Sequence, residues 1–474
     1  MKVKNFKFKK IKIYIKNLIF KVNKIIFEDE SERKIKEVKK IIQDVNQSNI
    51  ESKLKDINNI YEKFQSDPFL CKTIAGIEID LAKNPEYGFN KIKNYNFLLE
   101  KWLNTNKLHN IKKEFIDDDR VTGSFGNYLT IFYYLMYRFN IQELGQNPTL
   151  LLRDNPKITN SALFKFFTPY LNIIQNDDLY LKLDLVKKIS TIPLDIVLPF
   201  KDKFYPWFAS INFTKQLLNK VKNKKFDYFK IGSEDYEKGK EILKKMGLPD
   251  NAWYVTLHIR QGIGNELFNS NPITYMKAVK EIIRRGGYVF RVGNKSMTPL
   301  PKIEGLIDFP FSHHKSEFFD IFLASTCYFC IGTSSGYWSV PTFFNKPVLL
   351  TNYLPVFDYY HLDEKNLFLP KTLIDKNSQK LISKEKLFKF PVGSLATNIQ
   401  LSQNNISIID NNEDEILQST VEMFDVLDNK NISEDFMILN KKFKEELDEL
   451  NKDKYEFPLK AMANFSSSFL NKIN

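Results

Sequence analysis

Two short segments carry residue types suited to binding and stabilising a phosphate-bearing leaving group. The first is Val255–Thr256–Leu257–His258–Ile259–Arg260. Side chains alternate along a strand, so His258 and Arg260 fall on one face at its carboxyl end. Open α/β sheets bind ligands outside that edge, and an arginine there offers a planar fork for a diphosphate. The second is Ile331–Gly332–Thr333–Ser334–Ser335–Gly336, which ends one predicted strand and precedes a predicted helix. Its glycines leave backbone N–H groups able to face an anion; the hydroxyls of Thr333, Ser334 and Ser335 and the helix dipole add to the attraction. Each segment also has an ordinary reading: a strand-end arginine beside a core histidine, and a capping turn. Both strands belong to one predicted sheet, so both segments can converge on one diphosphate. That convergence favours the functional reading.

Weaker candidates surround these two. His313–His314–Lys315–Ser316–Glu317 enters a helix that contains Asp320. Ser316 suits an N-cap and Glu317 the positive end of the helix, where a carboxylate could accept hydrogen bonds from ribose hydroxyls. Lys315 would add positive charge near a phosphate; a solvated helix start explains the same residues. Gly293 and Asn294 follow Arg291–Val292, where their backbone could line a base pocket. Upstream, the loop with Gly123, Gly126 and Asn127 opens an apolar helical stretch, Leu129 through Phe139. Two glycines there permit close approach to the backbone and suit a cleft-facing βα turn.

Asp117–Asp118–Asp119 could hold a divalent metal through clustered carboxylate oxygens. Here the triplet precedes the first glycine loop, far from the two segments above. No metal site is therefore expected, and Asp119 is kept as a candidate catalytic base at a cleft edge. Cys327 and Cys330 form a CxxC without a second ligand pair, and their surroundings read as a buried strand, so both are expected in the core.

The elements that must position these residues follow from periodicity. Residues 28–108 show helical spacing, as in Ile35, Val38, Ile41 and Ile42, then Leu54, Ile57, Ile60 and Tyr61. Residues 109–235 read as an acceptor-side α/β domain, with Leu150–Leu152 a short buried strand. Residues 236–250 form a charged helix ended by Gly247–Leu248–Pro249, a candidate linker. From 251 to 428 short apolar strands alternate with helices, which implies a parallel sheet covered on both faces. Residues 429–474 read as a helical, charged extension. The predicted fold is α/β: two doubly wound domains facing a cleft, with helical extensions at both ends.

Length and charge bound the rest. A chain of 474 residues exceeds one core. Its formal charge of +13 is concentrated at the start, where residues 1–27 hold nine lysines and no acid. Subtracting those nine leaves about +4 for the other 447 residues, too little excess to track a nucleic acid. No apolar run in the tail nears the roughly 18 residues of a membrane span, and lysines interrupt every possible signal-peptide core. As a helix the tail would gather Leu18, Val22, Ile25 and Ile26 on one side, suited to peripheral contact with an anionic membrane. A frayed basic terminus or a docked strand would read the same. Three cysteines give no disulfide framework and fit a reducing cytoplasm.

The run from His258–Ile259–Arg260, through Gly286–Gly287–Tyr288–Val289–Phe290–Arg291–Val292–Gly293 and Asp308, to His314–Lys315–Ser316–Glu317 and Ile331–Gly332–Thr333–Ser334–Ser335–Gly336 resembles a sparsely characterised family of bacterial glycosyltransferase-like proteins. That family is associated with surface-polysaccharide synthesis. The resemblance covers about residues 115–425 and is strongest over 253–352. More distantly, the HxR strand is similar to that of fucosyltransferases, where the arginine contacts the donor diphosphate. Gln261–Gly262 stands where that pattern has acidic residues, so a fucose donor does not follow. The resemblance implies GT-B-like domains, a nucleotide-sugar donor, a glycan or lipid-linked acceptor, and transfer that requires no metal or cofactor. Charge argues against a nucleic-acid partner, and the cysteine count points to the cytoplasm, where the tail could reach the inner face of the plasma membrane. Two other readings stay open: an inactive nucleotide- or glycan-binding scaffold, and a transferase using a different phosphate-bearing donor.

Overall fold

In a computed structural model of the 474-residue chain, the described residues are 33–34, 36–38, 40–41, 50–65, 70, 74, 94, 97–98, 115–116, 119–143, 145–177, 197–200, 203–262, 266–389, 392–428, 432–452 and 457–473. The basic tail 1–27, with Asp117 and Asp118, lies outside them. Within 28–108 the helix Ile50–Lys63 realises the expected spacing, with Ile57, Ile60 and Tyr61 buried. No described helix is long and apolar enough to cross a membrane.

The larger sheet is built from β6 (Tyr254–Leu257), β7 (Tyr288–Arg291), β8 (Leu306–Asp308), β9 (Cys330–Gly332), β10 (Val348–Tyr353), β11 (Leu367–Pro370) and β14 (Asn464–Phe465). Their order across the sheet is β14-β11-β10-β9-β6-β7-β8, and every neighbouring pair is parallel. These strands are short and apolar because helices cover both faces. The chain runs from β6 outward to β7 and β8, then returns to lay β9 on the other side of β6. Strands β6 and β9 pair through Thr256↔Cys330 and Leu257↔Ile331. That reversal of direction opens a crevice at their carboxyl ends, the place where doubly wound sheets bind ligands.

The first region is smaller. Strands β1 (Phe115–Ile116), β2 (Thr149–Leu152) and β3 (Asn172–Gln175) form a three-stranded parallel sheet. β4 (Val197–Phe200) and β5 (Lys203–Pro206) make an antiparallel pair. The glycine loop leads into α1 (Phe125–Asn140), whose residues from Tyr128 to Asn140 are all buried. A helix apolar on every side must sit in the middle of a structure. Phe132 of α1 packs 4.8 Å from Phe343 of the short helix α2 (Ser339–Phe343), which follows β9, and also meets Phe226 and Phe229. One apolar core therefore runs across the boundary between the two expected domains. Along this seam the two expected domains share apolar packing, since α1 has no polar face to turn outward.

The predicted linker is a regular helix, Ser233–Lys245, with Gly239 pressed on Phe322 and Gly247 at φ +85 just past its end. Glycine is required there because the left-handed turn penalises a Cβ. The C-terminal extension needs correction. It contains the helices Glu434–Asn451 and Ser467–Ile473, but between them Asn464–Phe465 adds edge strand β14 to the large sheet. Phe465 is fully buried there, against Phe368, Phe443 and Phe469. Cys327 and Cys330 are both free and buried, and burial pushes the Cys327 thiol up to about 11, which suits core residues rather than reactive ones.

Candidate functional site

The site forms where β6 and β9 end. β6 stops at Leu257, earlier than the sequence implied, but the His258 N–H donates to Ile331 O at 2.8 Å and prolongs the pairing. The Arg260 N–H then donates to Thr333 Oγ1 at 3.0 Å, and Thr333 Oγ1 donates to the His258 carbonyl at 3.4 Å. One threonine thus staples the two strand-end loops together. The expected convergence of the two segments is present in this form.

A cavity of about 450 Å³ opens on this staple. It brings together His258, Arg260, Gly293, Asn294, Lys315, Glu317, Ser335 and Gly336, all nominated from the sequence. Ser124, Phe125, Thr159 and Asn160 of the first region close its far side, so the cavity lies on the seam. Arg260 is the group best placed for an anion. Its guanidinium lies 5.8 Å above the Phe268 ring and folds over Gly262, yet its buried Nε has no hydrogen-bond partner among the described residues. A buried donor without a partner costs about 1–3 kcal/mol unless a ligand supplies one.

Arg260 is held from behind. Gln261 accepts a hydrogen bond from Arg291 Nη2 at 3.1 Å and from the Thr298 N–H at 3.1 Å. Arg291 is fully buried and pairs with Asp308 at 2.8 Å. Such a buried pair fixes geometry more than it adds stability. Gly293, at φ +145, packs on Met297, and the exposed Asn294 accepts from the Ser296 N–H and Oγ through Oδ1, so part of its side chain is already used at this corner of the cavity.

His258 behaves differently from Arg260. Its Nδ1 lies 3.0 Å from Ser335 Oγ, and its ring stacks on Tyr337 at 5.4 Å. Burial, with Arg291 and Arg260 nearby, lowers its pKa to about 3. It is therefore uncharged near neutral pH and a poor holder of protons, which suits positioning of Ser335 rather than proton transfer.

The 333–336 loop spends its hydroxyls internally. Thr333 is the staple, Ser334 Oγ accepts from the Leu354 N–H at 2.7 Å, and Ser335 Oγ meets His258 and caps Tyr337. The helix expected to follow is a short 3₁₀ turn, Gly336–Trp338, then the five residues of α2, too short for a strong dipole. The expectation of a hydroxyl-rich, dipole-backed anion cradle is corrected accordingly. Of this loop, Ser335 and Gly336 line the cavity.

The glycine loop of the first region also finds its partner. A Cβ on Gly336 would stand 2.2 Å from Gly126 N, and one on Gly126 would stand 3.2 Å from Gly336 Cα. The group that needed close approach to Gly126 is the protein's own 333–336 loop. Ser339 Oγ clamps the same contact by donating to Phe125 O at 3.1 Å. Asn127 sits one turn into α1 with its Oδ1 accepting from Ser124 at 3.3 Å, while Gly123 lies exposed outside the cavity.

Ser316 caps the helix α3 (Glu317–Thr326) as expected, accepting from the Phe319 N–H at 3.2 Å. Lys315 forms an ion pair with Asp320, so its charge is already opposed. Glu317 accepts from the Ser161 N–H at 2.8 Å, at the start of the helix Ser161–Phe167. It ties the two regions together, which leaves less of its carboxylate for a ribose. The side chain of Asp119 lies outside the described residues, with Asp117 and Asp118. Among the described residues no three His, Cys, Asp or Glu gather as a metal site would require.

Sequence reasoning missed Tyr337, Thr159, Asn160 and Met297, which line the cavity without any motif to mark them. It also missed Asp358, a lone carboxylate in the aromatic run Val356–His361, which its surroundings could have flagged.

No family model and no curated protein matches the chain. Among solved structures it is similar to the glycosyl transferase family 9 protein of Veillonella parvula DSM 2008, with 11% identity and a TM-score of 0.28. The match covers 66% of this chain and 82% of that one. Likeness at that level says nothing of donor or acceptor.

Proposed function

We propose that the chain is a glycosyltransferase that moves a sugar from a nucleotide donor to a glycan or lipid-linked acceptor in bacterial surface-polysaccharide synthesis. The carrying observation is Arg260: a cation whose buried Nε has no partner among the described residues, set in a cavity at the point where the strand order reverses. Sugar transfer leaves negative charge on a diphosphate, and a preorganised guanidinium stabilises that charge as it develops. Gly293 and Asn294 supply backbone at one end of the cavity for the base, and the Gly336 backbone approaches the phosphates. His258 and Thr333 hold the two loops in register. No metal is called upon in this reading, and no cofactor beyond the donor itself. The basic residues 1–27 would hold the enzyme at an anionic membrane surface on the cytoplasmic side, near a lipid-linked acceptor.

The reading is tested by thermal stabilisation of the purified protein with a panel of nucleoside diphosphates and nucleotide sugars. Stabilisation selective for one base and lost in Arg260→Ala is expected. Stabilisation by a nucleotide without turnover of any nucleotide sugar would favour a binding scaffold instead, and no stabilisation at all would remove the donor site.

A further inference from the structure

Arg260, Ser335 and Gly336 form one wall of the cavity described above, and the same three residues form a wall of a second one. This second cavity, about 340 Å³, is lined on its other sides by Leu129, Phe268, Trp338 and Tyr353, with Asp358. The two spaces thus meet across the arginine that would hold the leaving group. Their chemistry differs. The first is edged by Lys315, Glu317 and Asp320; the second is walled by aromatic rings around Asp358, the sole carboxylate among the residues lining it. Aromatic faces beside one well-placed polar group match the apolar C–H face and the hydroxyl edge of a sugar ring.

Asp358 is held in a defined pose. Trp338 Nε1 donates to Tyr353 OH at 3.1 Å, and Tyr353 OH donates to Asp358 Oδ2 at 3.1 Å. His361 Nδ1 stands 3.8 Å from Oδ1, beyond hydrogen-bond range. The carboxyl keeps 14% exposure. We propose that the second cavity takes the hydroxyl-bearing sugar of the acceptor, and that Asp358 accepts the proton of the attacking hydroxyl. This rests on the transferase reading above.

The step balances. The acceptor oxygen forms its bond to the anomeric carbon of the donor as its proton passes to Asp358. The bond from that carbon to the diphosphate oxygen breaks, and its electron pair leaves on the phosphate, beside Arg260. A single displacement of this kind inverts the anomeric carbon. The charged and titratable neighbours are consistent with the role. Burial raises the Asp358 pKa to about 7, with Tyr353 opposing that rise; a base poised there is matched to its work. Burial, with Lys215, holds His361 well below its usual range and therefore neutral, and Tyr353 is held well above its own. Arg260 lines the same cavity.

The test uses the full chain and follows nucleotide release from UDP-, GDP-, ADP- and dTDP-hexoses, with water as acceptor, between about pH 5 and about pH 9. Stabilisation by the matching nucleoside diphosphate is measured in parallel. A base works deprotonated, so the wild-type rate should rise through about pH 7. Asp358→Asn should keep the nucleotide stabilisation, lose that rising limb and slow release about 100-fold. Asp358→Glu, which restores a carboxylate, should recover part of both. A variant Asp358→Asn that binds nucleotide and turns over at the wild-type rate overturns the role of Asp358 while leaving the donor site standing. Should that variant fail to fold, wild type decides: a flat profile, or no release at any pH, overturns the proposal. Absence of any nucleotide stabilisation in wild type instead overturns the donor reading, and this proposal with it.

Discussion

The two loops that meet at the crevice were nominated on the same ground, yet they use their polar groups in opposite ways. The loop after β6 leaves the guanidinium of Arg260 with a buried Nε lacking any partner among the described residues. The loop after β9 turns every hydroxyl inward: Thr333 to the Arg260 backbone, Ser334 to Leu354, Ser335 to His258. One loop offers a binding group and the other builds the frame that aims it. Residue type reveals the capacity for a hydrogen bond but not whether the protein has already used it.

Breaking the first loop should have the largest effect. Arg260→Ala should cut turnover by about 10²–10³ with a smaller effect on the melting temperature, because the Nε it removes has no partner among the described residues. Turnover and melting curves on the same preparation check this; a large loss of stability would mean that Arg260 is structural. Breaking the frame should reverse the pattern. Gly336→Ala places a Cβ against Gly126 backbone, which cannot swing aside as a side chain can. We expect a loss of about 1–3 kcal/mol in urea unfolding, with activity falling as a consequence. Unchanged stability would show that the two loops do not touch as described.

Thr333→Val is finer. It keeps the shape but leaves the Arg260 N–H and the His258 carbonyl without their shared partner. The expected cost is about 1–2 kcal/mol, with slower turnover because Arg260 is no longer aimed. Nucleotide affinity and turnover measured together separate misplacement from unfolding. A separate test concerns pH. The folded pKa of His258 is depressed to about 3, below its unfolded value of 6.5, so its contribution to stability is present above 6.5 and is lost as pH falls toward 3. His258→Gln, which cannot titrate, should flatten that part of the acid limb of a stability-versus-pH curve. An unaltered limb would place the acid sensitivity elsewhere.

The large sheet was legible because its strands, buried on both faces, are short apolar runs punctuated by glycine and proline. Val348–Tyr353 and Tyr288–Arg291 are of this kind. The convergence of His258, Arg260 and the 333–336 loop was legible too, since strand ends on one sheet edge must lie close. What periodicity could not show was long-range. Nothing in Asn464–Phe465 announces an edge strand, because two residues carry no period and their pairing with β11 is tertiary. Glu317 reads as a helix-start carboxylate, yet its partner is the Ser161 N–H, far away in sequence. The buried surround of α1 was hinted at by its unbroken apolar character, but its seat on Phe343 was not. Asp358 has no motif: the aromatic run around it marks it as a buried carboxylate, but only the fold puts it in one cavity with Arg260.

The central claim is that Arg260 holds a donor diphosphate at the junction of β6 and β9. A crystal structure with the stabilising nucleoside diphosphate bound tests it most directly. The account predicts phosphate oxygens within hydrogen-bond distance of the Arg260 guanidinium, with the base toward Gly293 and Asn294. Density for the nucleotide elsewhere, such as the lysine-lined hollow around Lys220, Lys224 and Lys460, with Arg260 still unpartnered, would contradict it.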